Sequence, residues 1–179
     1  MHVGRSFVLA ALLTVGTVAA AQTPSTPSLD IHYVPTPTAV VDAMLKAGRV
    51  TSQDVVYDLG SGDGRIVITA AREFGARGVG IELDPALVKR ATSEAAKAGV
   101  SDKVRFSQAD LFKTDLSSAT VVTLYLSPSI NLRLESKLKR ELKPGSRVVS
   151  HRFPIGTWAP DADIVVGGTH VYLWTIRER

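Results

Sequence analysis

The chain has 179 residues, of which 45% are hydrophobic and 21% charged, and it contains no cysteine. These values fit one globular domain and exclude a disordered chain, a disulfide-stabilised scaffold and a thiolate metal site. The formal net charge is +4, from 21 basic and 17 acidic residues. That excess is too small to predict a nucleic-acid partner in the absence of a clustered basic patch.

The first 21 residues have the order of a secretory signal peptide. His2 and Arg5 precede an apolar run from Phe7 to Val18, and the small residues Ala19–Ala21 follow it. The run is about a dozen residues long, shorter than the roughly 20 that span a bilayer. We therefore predict cleavage, export to the periplasm or the medium, and no stable membrane insertion of the mature protein. An uncleaved N-terminal anchor and a cytosolic protein with a wrongly assigned start codon are the alternatives.

The rest of the chain divides into a tether at 22–32, which begins with a Pro-, Ser- and Thr-rich stretch, and a folded domain at 33–179. Hydrophobic periodicity and turn residues predict the elements of that domain. In chain order these are a helix at 39–47, strand 55–57, helix 66–74, strand 78–82, helix 84–99, strand 103–106, strand 120–126, helix 130–142, a strand around 148–149, and a hairpin of strands 163–166 and 170–176.

This alternation of strands and helices predicts an α/β fold. We expect a Rossmann-like, doubly wound, seven-stranded sheet that is mostly parallel, with the C-terminal hairpin adding an antiparallel edge strand. Trp174, within that hairpin, is predicted to belong to the core.

A glycine-rich loop, Asp58-Leu59-Gly60-Ser61-Gly62-Asp63-Gly64, connects the first predicted strand to the following helix. Glycines allow a sharp turn and a close approach of the backbone to a ligand at the carboxyl edge of the sheet. The spacing differs from the G-x-G-x-x-G of dinucleotide-binding proteins, and no G-K-[ST] follows. We also expect the Asp63 carboxylate to repel a pyrophosphate, so a dehydrogenase is disfavoured.

Two further carboxylates follow the next two strands. Glu82 ends the second strand, where an acid can accept hydrogen bonds from a ribose diol, and Asp110 follows the third. Together with Asp58, they predict a pocket for a ligand with an amino group, a ribose and an adenine amine. A cation suits such a pocket better than a pyrophosphate.

Three of these runs, D-L-G-S-G-D-G-R at 58–65, E-L-D at 82–84 and D-L-F at 110–112, resemble the cofactor motifs of class I S-adenosylmethionine-dependent methyltransferases. More narrowly, V-P-T-P at 34–37, L-S-P-S at 126–129 and R-V-V-S-H-R-F-P at 147–154 resemble the small protein-lysine methyltransferases of archaea and mitochondria. The resemblance covers nearly the whole predicted domain.

The resemblance implies an S-adenosylmethionine cofactor and assigns residues to its parts. It implies that Asp58 and Gly60 lie at the methionine end and that Gly62 also contacts the cofactor. Glu82 would take the ribose hydroxyls, Asp110 and Leu111 the adenine, and the segment at Pro35-Thr36 would close over the cofactor.

The end of the fourth strand is the expected position of the methyl acceptor. It reads Tyr125-Leu126-Ser127-Pro128 and lacks the Asn-Pro-Pro-Tyr that marks methylation of base amino groups, so we expect no nucleic-acid substrate. For a lysine acceptor, Tyr125 and Ser127 are candidates to orient the amine and His151 to pass a proton. The alternatives are that Tyr125 belongs to the core, that Ser127 starts a turn, and that His151 is a structural hydrogen-bond donor.

Other side chains carry weaker signals. Phe153 and Trp158 would form the aromatic wall of a lysine channel or pack beneath the hairpin. The basic run from Arg133 to Arg147 is interpreted as a solvated helix face, because no aromatic residues alternate with the charges. The four histidines are dispersed along the chain, so we expect no metal site.

Two hypotheses of function remain open from the sequence. The first is an S-adenosylmethionine-dependent methyltransferase with a protein lysine as the acceptor. The second is an exported, non-catalytic methyltransferase-fold module that binds a nucleoside or a protein partner.

Overall fold

A computed structural model describes residue 1 and residues 33–178, so the predicted signal peptide and tether lie outside the described residues. In chain order the elements are α1 Thr38–Ala47, β1 Val55–Leu59, α2 Arg65–Phe74, β2 Arg77–Glu82, α3 Pro85–Lys97, β3 Val104–Gln108, β4 Val121–Leu124, α4 Pro128–Glu141, β5 Arg147–His151, β6 Ala162–Val166 and β7 Thr169–Thr175. No helix within this described part is long and apolar enough to cross a membrane.

The strands form one seven-stranded sheet in the order β3-β2-β1-β4-β5-β7-β6. Strands β1 to β5 pair in parallel, and β7 is antiparallel to both β5 and β6. The predicted α/β fold with a mostly parallel seven-stranded sheet is therefore confirmed.

The hairpin differs from the expectation in one respect, because its antiparallel strand lies inside the sheet and β6 forms the edge. The burial of the two strands explains this order. In β7, Val171, Leu173 and Trp174 are buried, as the core assignment of Trp174 requires, whereas Ile164 and Val165 of β6 are exposed. The strand with the larger buried side chains thus takes the position with two neighbours.

The two faces of the sheet carry separate hydrophobic clusters. One cluster packs α1, α2 and α3 against the sheet, with Met44 and Val67 fully buried. The other packs α4, through Leu134 and Leu138, against the opposite face, together with Leu116 of the β3–β4 connection. Because helices cover both faces of the sheet, a ligand can bind at the carboxyl edge of the parallel strands.

Local residue types determine where the chain leaves this edge. Strand β4 ends at Leu124, two residues earlier than predicted, and α4 begins at Pro128, two residues earlier than predicted. Pro128 is tolerated in the first turn of a helix, and Ser127 before it is extended. Tyr125 and Ser127 therefore lie in a short connection beyond the sheet.

Candidate active site

The turn between β1 and α2 is held against the end of β2. Gly60, Gly62 and Gly64 all have left-handed backbones, with φ of 81°, 53° and 80°. The amide of Gly60 donates to the carbonyl of Ile81 at 2.8 Å, and that of Gly62 donates to Oε2 of Glu82 at 2.9 Å. The predicted loop glycines and Glu82 thus belong to one site.

Asp58 lies at the centre of this site with a buried carboxylate. Its residue is 3% exposed, and Oδ1 accepts a 2.7 Å hydrogen bond from Oγ1 of Thr123 on β4. Burial raises the pKa of Asp58 to about 7; the bond from Thr123 opposes the rise, and the charges of Glu82 and Asp63 add to it. The carboxylate is therefore poised to ionise beside a cation near neutral pH.

The other two predicted acids lie at the carboxyl ends of the next two strands, Glu82 as the last residue of β2 and Asp110 two residues after β3. Oε1 of Glu82 accepts from the amides of Leu83 at 2.7 Å and Asp84 at 3.1 Å. Oδ1 of Asp110 accepts from the amide of Phe112 at 2.9 Å, and the Asp110 side chain is 35% exposed. These bonds fix both carboxylates at successive strand ends.

Leu111 contributes an apolar surface beside Asp110. Its side chain is buried in the cluster that also contains Ile81 of β2. The arrangement matches what a planar base needs, an apolar contact with a polar group next to it.

The carboxylate of Asp63 is already paired with an arginine. This differs from the expectation that its charge would repel a pyrophosphate. Its carboxylate, 8% exposed, forms two hydrogen bonds with Arg65, Nε to Oδ1 at 2.9 Å and Nη2 to Oδ2 at 2.7 Å. The guanidinium lowers the pKa of Asp63 against the effect of burial. This pairing could not be read from the sequence, because residues two apart rarely form a bidentate pair.

Arg65 also ties the segment before α1 to the glycine turn. Its Nη1 donates to the carbonyl of Thr36 at 2.9 Å, and the ring of Tyr33 covers Gly62 so closely that a Cβ there would overlap it. Thr36, predicted to contact the cofactor, is buried by these contacts.

Two of the three predicted catalytic residues lie together. The rings of Tyr125 and His151 have centroids 4.0 Å apart, and Nδ1 of His151 lies 3.3 Å from Oγ1 of Thr36. His151 is 3% exposed; burial, followed by the positive charge of Arg152, lowers its pKa. The imidazole is therefore neutral at pH 7.

Ser127, the third predicted catalytic residue, is exposed, and its Oγ lies 3.1 Å from Oγ of Ser129. No hydrogen bond from Ser127 to Tyr125 or His151 occurs in the described structure. Ser127 thus lies on the rim of the cluster, in the connection that leads into α4.

The two aromatic candidates have different surroundings. The carbonyl of Trp158 accepts from Nε1 of Trp174 at 2.9 Å, and their rings lie 5.6 Å apart, which supports packing beneath the hairpin. Phe153 is partly exposed beneath the guanidinium of Arg152, 5.2 Å from the ring centroid.

Asn131 is a functional candidate that sequence reasoning missed. It is fully buried on α4, and its Nδ2 donates to Oγ of Ser150 at 3.3 Å and to the carbonyl of Phe153 at 3.2 Å. The amide thereby holds the segment after β5 in place. Its position on the inward face of α4 was the available signal, since a buried amide needs partners.

Comparisons with known proteins agree with this arrangement. The ANTKMT methyltransferase domain matches residues 58–162, which include Asp58, the glycine turn, Glu82, Asp110 and His151. The chain belongs to this methyltransferase family. A protein-lysine N-methyltransferase from Saccharolobus islandicus is 44% identical over 153 residues, covering 83% of this chain and 95% of that protein.

Two more relatives show how far the similarity extends. An adenine nucleotide translocase lysine N-methyltransferase from Mus musculus is 41% identical over 83% of this chain, which spans 65% of that protein. A crystal structure described as an RNA methyltransferase from Salinibacter ruber, in complex with S-adenosyl-L-homocysteine, is 60% identical with a TM-score of 0.80. It covers 82% of this chain and 95% of its own.

The cofactor of this methyltransferase is S-adenosylmethionine, and the described residues suit it. The buried Asp58 would offer a carboxylate to an ammonium, and Glu82 and Asp110 would offer carboxylate oxygens to hydroxyl and amine donors. Bound there, the cofactor supplies a methyl group on a positively charged sulfonium. Among residues 33–178 no group of His, Asp and Glu side chains could hold a metal ion.

We expect cofactor affinity to fall as the pH falls through 7. Ionised Asp58 attracts the cofactor's ammonium, and with a pKa of about 7 its ionised fraction drops roughly tenfold between pH 8 and pH 6. Calorimetry with S-adenosylhomocysteine should show about tenfold weaker binding at pH 6. The Asp58→Asn variant should bind weakly at both pH values, and equal wild-type affinities at pH 6 and pH 8 would contradict the assignment.

The tight contact at Gly62 gives a second prediction. Gly62→Ala and Gly99→Ala both force a left-handed alanine, but only the Cβ at position 62 meets another side chain, the ring of Tyr33, within 4 Å. In urea unfolding, Gly99→Ala should cost about 1 kcal/mol, and Gly62→Ala about 1 to 3 kcal/mol more. The double variant Tyr33→Ala/Gly62→Ala should lose that additional cost; equal losses for the two single variants would contradict the contact.

Proposed function

We propose that this chain transfers the methyl group of S-adenosylmethionine to the side-chain amine of a protein lysine. The observation that carries the proposal is the buried, neutral His151, which lies against Tyr125 beyond the end of β4 and is hydrogen-bonded to Thr36 of the segment over the glycine turn. The names of the archaeal and mouse relatives support lysine as the acceptor.

A lysine acceptor must lose a proton before it reacts. Its ordinary pKa of about 10.4 leaves roughly one amine in 2,500 neutral at pH 7, a cost of ~4.6 kcal/mol. Burial beside a cation lowers that pKa. The amine nitrogen then forms its bond to the methyl carbon as the carbon–sulfur bond breaks, and alignment supplies most of the catalysis.

His151 is the proposed acceptor of the lysine proton. When Nδ1 carries the ring proton and donates it to Oγ1 of Thr36, Nε2 holds a lone pair that can take another proton. The Tyr125 hydroxyl and the Ser127 hydroxyl are proposed to orient the amine. In this proposal the backbone of Thr36 is linked to the glycine turn, and the hydroxyl of Thr36 contacts His151.

RNA is the second candidate acceptor, because the 60% identical structure is described as an RNA methyltransferase. The charges of α4 speak against it. Lys137 and Glu141 pair at 2.7 Å, and Lys139 and Glu135 pair at 2.6 Å, so much of the basic run is neutralised along the helix. Lysines paired in this way are less available to the phosphates of an RNA backbone.

The decisive experiment is transfer of labelled methyl from S-adenosylmethionine to host extract, with the products hydrolysed to amino acids and to nucleosides. We expect label in methyllysine, none with Glu82→Ala, and a rate about 100-fold lower with His151→Ala at unchanged S-adenosylhomocysteine affinity. Label in nucleosides would establish RNA as the acceptor. Cofactor binding without any transfer would favour the non-catalytic module.

We further propose that the chain is exported and that its signal segment is removed. The order of charged, apolar and small residues within 1–21 supports this. The native protein should be recovered outside the cytoplasm with Gln22 as its first residue. An intact N-terminus in the cytoplasmic fraction would refute export.

A further inference from the structure

The backbone at Arg152 has an unusual conformation directly beside His151. Its φ is 69°, and the amide of Phe153 donates to the carbonyl of His151 at 2.9 Å, so the three residues form a tight turn with a hydrogen bond two residues apart. Such a turn with a left-handed central residue is rare and strained, above all for a bulky side chain. Strain of this kind persists where surrounding structure enforces it, often at a functional site.

Two bonds enforce the turn from outside. The amide of Arg152 donates to the carbonyl of His170 at the start of β7, at 2.7 Å, and Asn131 on α4 donates to the carbonyl of Phe153. These hydrogen bonds therefore hold the turn between β7 and α4. The turn directs the chain away from β5 one residue after His151.

The guanidinium of Arg152 stands free at this point. It is exposed over the Phe153 ring, and within the described residues no carboxylate lies in salt-bridge range of it. The nearby acid of the hairpin, Asp163, is instead bonded to His170 at 2.7 Å. Arg152 directly follows His151, and after the larger effect of burial its charge further lowers the pKa of that imidazole.

A second cation lies near Asp110, beyond the end of β3. The guanidinium of Arg133 on α4 stacks on the Phe112 ring at 3.9 Å and likewise has no carboxylate within salt-bridge range among the residues described. The side of the site that holds His151 thus presents the Arg152 guanidinium, while the carboxylates of Asp58 and Glu82 lie at the glycine turn. Planar guanidinium groups on aromatic rings are suited to bidentate binding of carboxylates.

We propose that Arg152 binds an acidic side chain of the protein substrate next to the target lysine, so that the enzyme selects lysines with Asp or Glu close by. This inference rests on the proposed lysine acceptor. The interaction would hold the acidic neighbour on Arg152 and direct the lysine toward His151. It would also disfavour a substrate whose target lysine is surrounded by other basic side chains.

The chain offers a matched pair of variants for the test. Glycine adopts positive φ without strain, so Arg152→Gly removes the charge and keeps the turn. Arg49, the other non-glycine residue with positive φ among residues 33–178, has a φ of 48°. It lines a cleft of about 660 Å³ at the opposite edge of the sheet, and Arg49→Gly therefore removes the same charge far from the site.

The experiment maps the lysines that the full chain methylates in host extract by mass spectrometry, for the wild type and both glycine variants. We expect wild-type sites to have Asp or Glu within about three residues, and their methylation to fall at least tenfold with Arg152→Gly, recover in part with Arg152→Lys, and stay unchanged with Arg49→Gly. All variants should bind S-adenosylhomocysteine alike.

A double-variant cycle separates binding of an acid from a structural effect. The best wild-type site is assayed in its own protein, with the neighbouring acid kept or changed to Gln or Asn. That change should slow the wild type about tenfold and leave Arg152→Gly unaffected. Equal slowing of both enzymes, or unchanged sites in Arg152→Gly, would overturn the proposal.

The remaining outcomes are distinguishable from these. Cofactor binding without methyllysine would refute the proposed function, and this inference with it. Label in RNA that falls with Arg152→Gly would show that Arg152 binds a phosphate, which would also overturn the proposal.

Discussion

The turn between β1 and α2 constrains every other part of the site. The chain leaves the central strand at Leu59 and enters a helix at Arg65, and it reverses direction through three left-handed glycines. This path leaves no space for side chains, so Tyr33 and Leu126 pack directly on the backbone of Gly62 and Gly60. The turn covers the Asp58 carboxylate near the end of β1, which is buried and has no cationic partner among the described residues.

Charge is divided across the site in a way that suits the chemistry. The cofactor and a lysine substrate are both cations, yet the reaction needs the first charged and the second neutral. Asp58 and Glu82 lie on the proposed cofactor side, where, among the residues that the structure describes, Asp63 is the acid paired with an arginine. On the proposed acceptor side lie Arg152, whose charge disfavours an ammonium, and a neutral His151 that can accept its proton. The same separation would let a negatively charged neighbour of the lysine approach.

Those parts of the molecule that depend on local pattern could be predicted from the sequence. All seven strands and four helices were predictable because apolar periods and glycine or proline turns mark them, and the acids Asp58, Glu82 and Asp110 follow strand ends. The place of β7 inside the sheet could not be predicted, because it depends on which hairpin strand packs better against β5. Likewise the contact of Thr36 with His151 joins residues 115 positions apart, and no residue type signals the tight turn at Arg152.

Thr36 links the glycine turn to His151 and so fixes these two parts of the site relative to each other. Its carbonyl accepts from Arg65, which is bonded to Asp63 of the glycine turn, and its hydroxyl contacts the ring nitrogen of His151. One residue therefore connects the cofactor loop to the proposed proton acceptor. Since the Thr36 hydroxyl contacts Nδ1, movement of this segment would also change which nitrogen of His151 carries the proton. Under the proposed mechanism, closure of this segment over the cofactor would also prepare His151 to accept the proton.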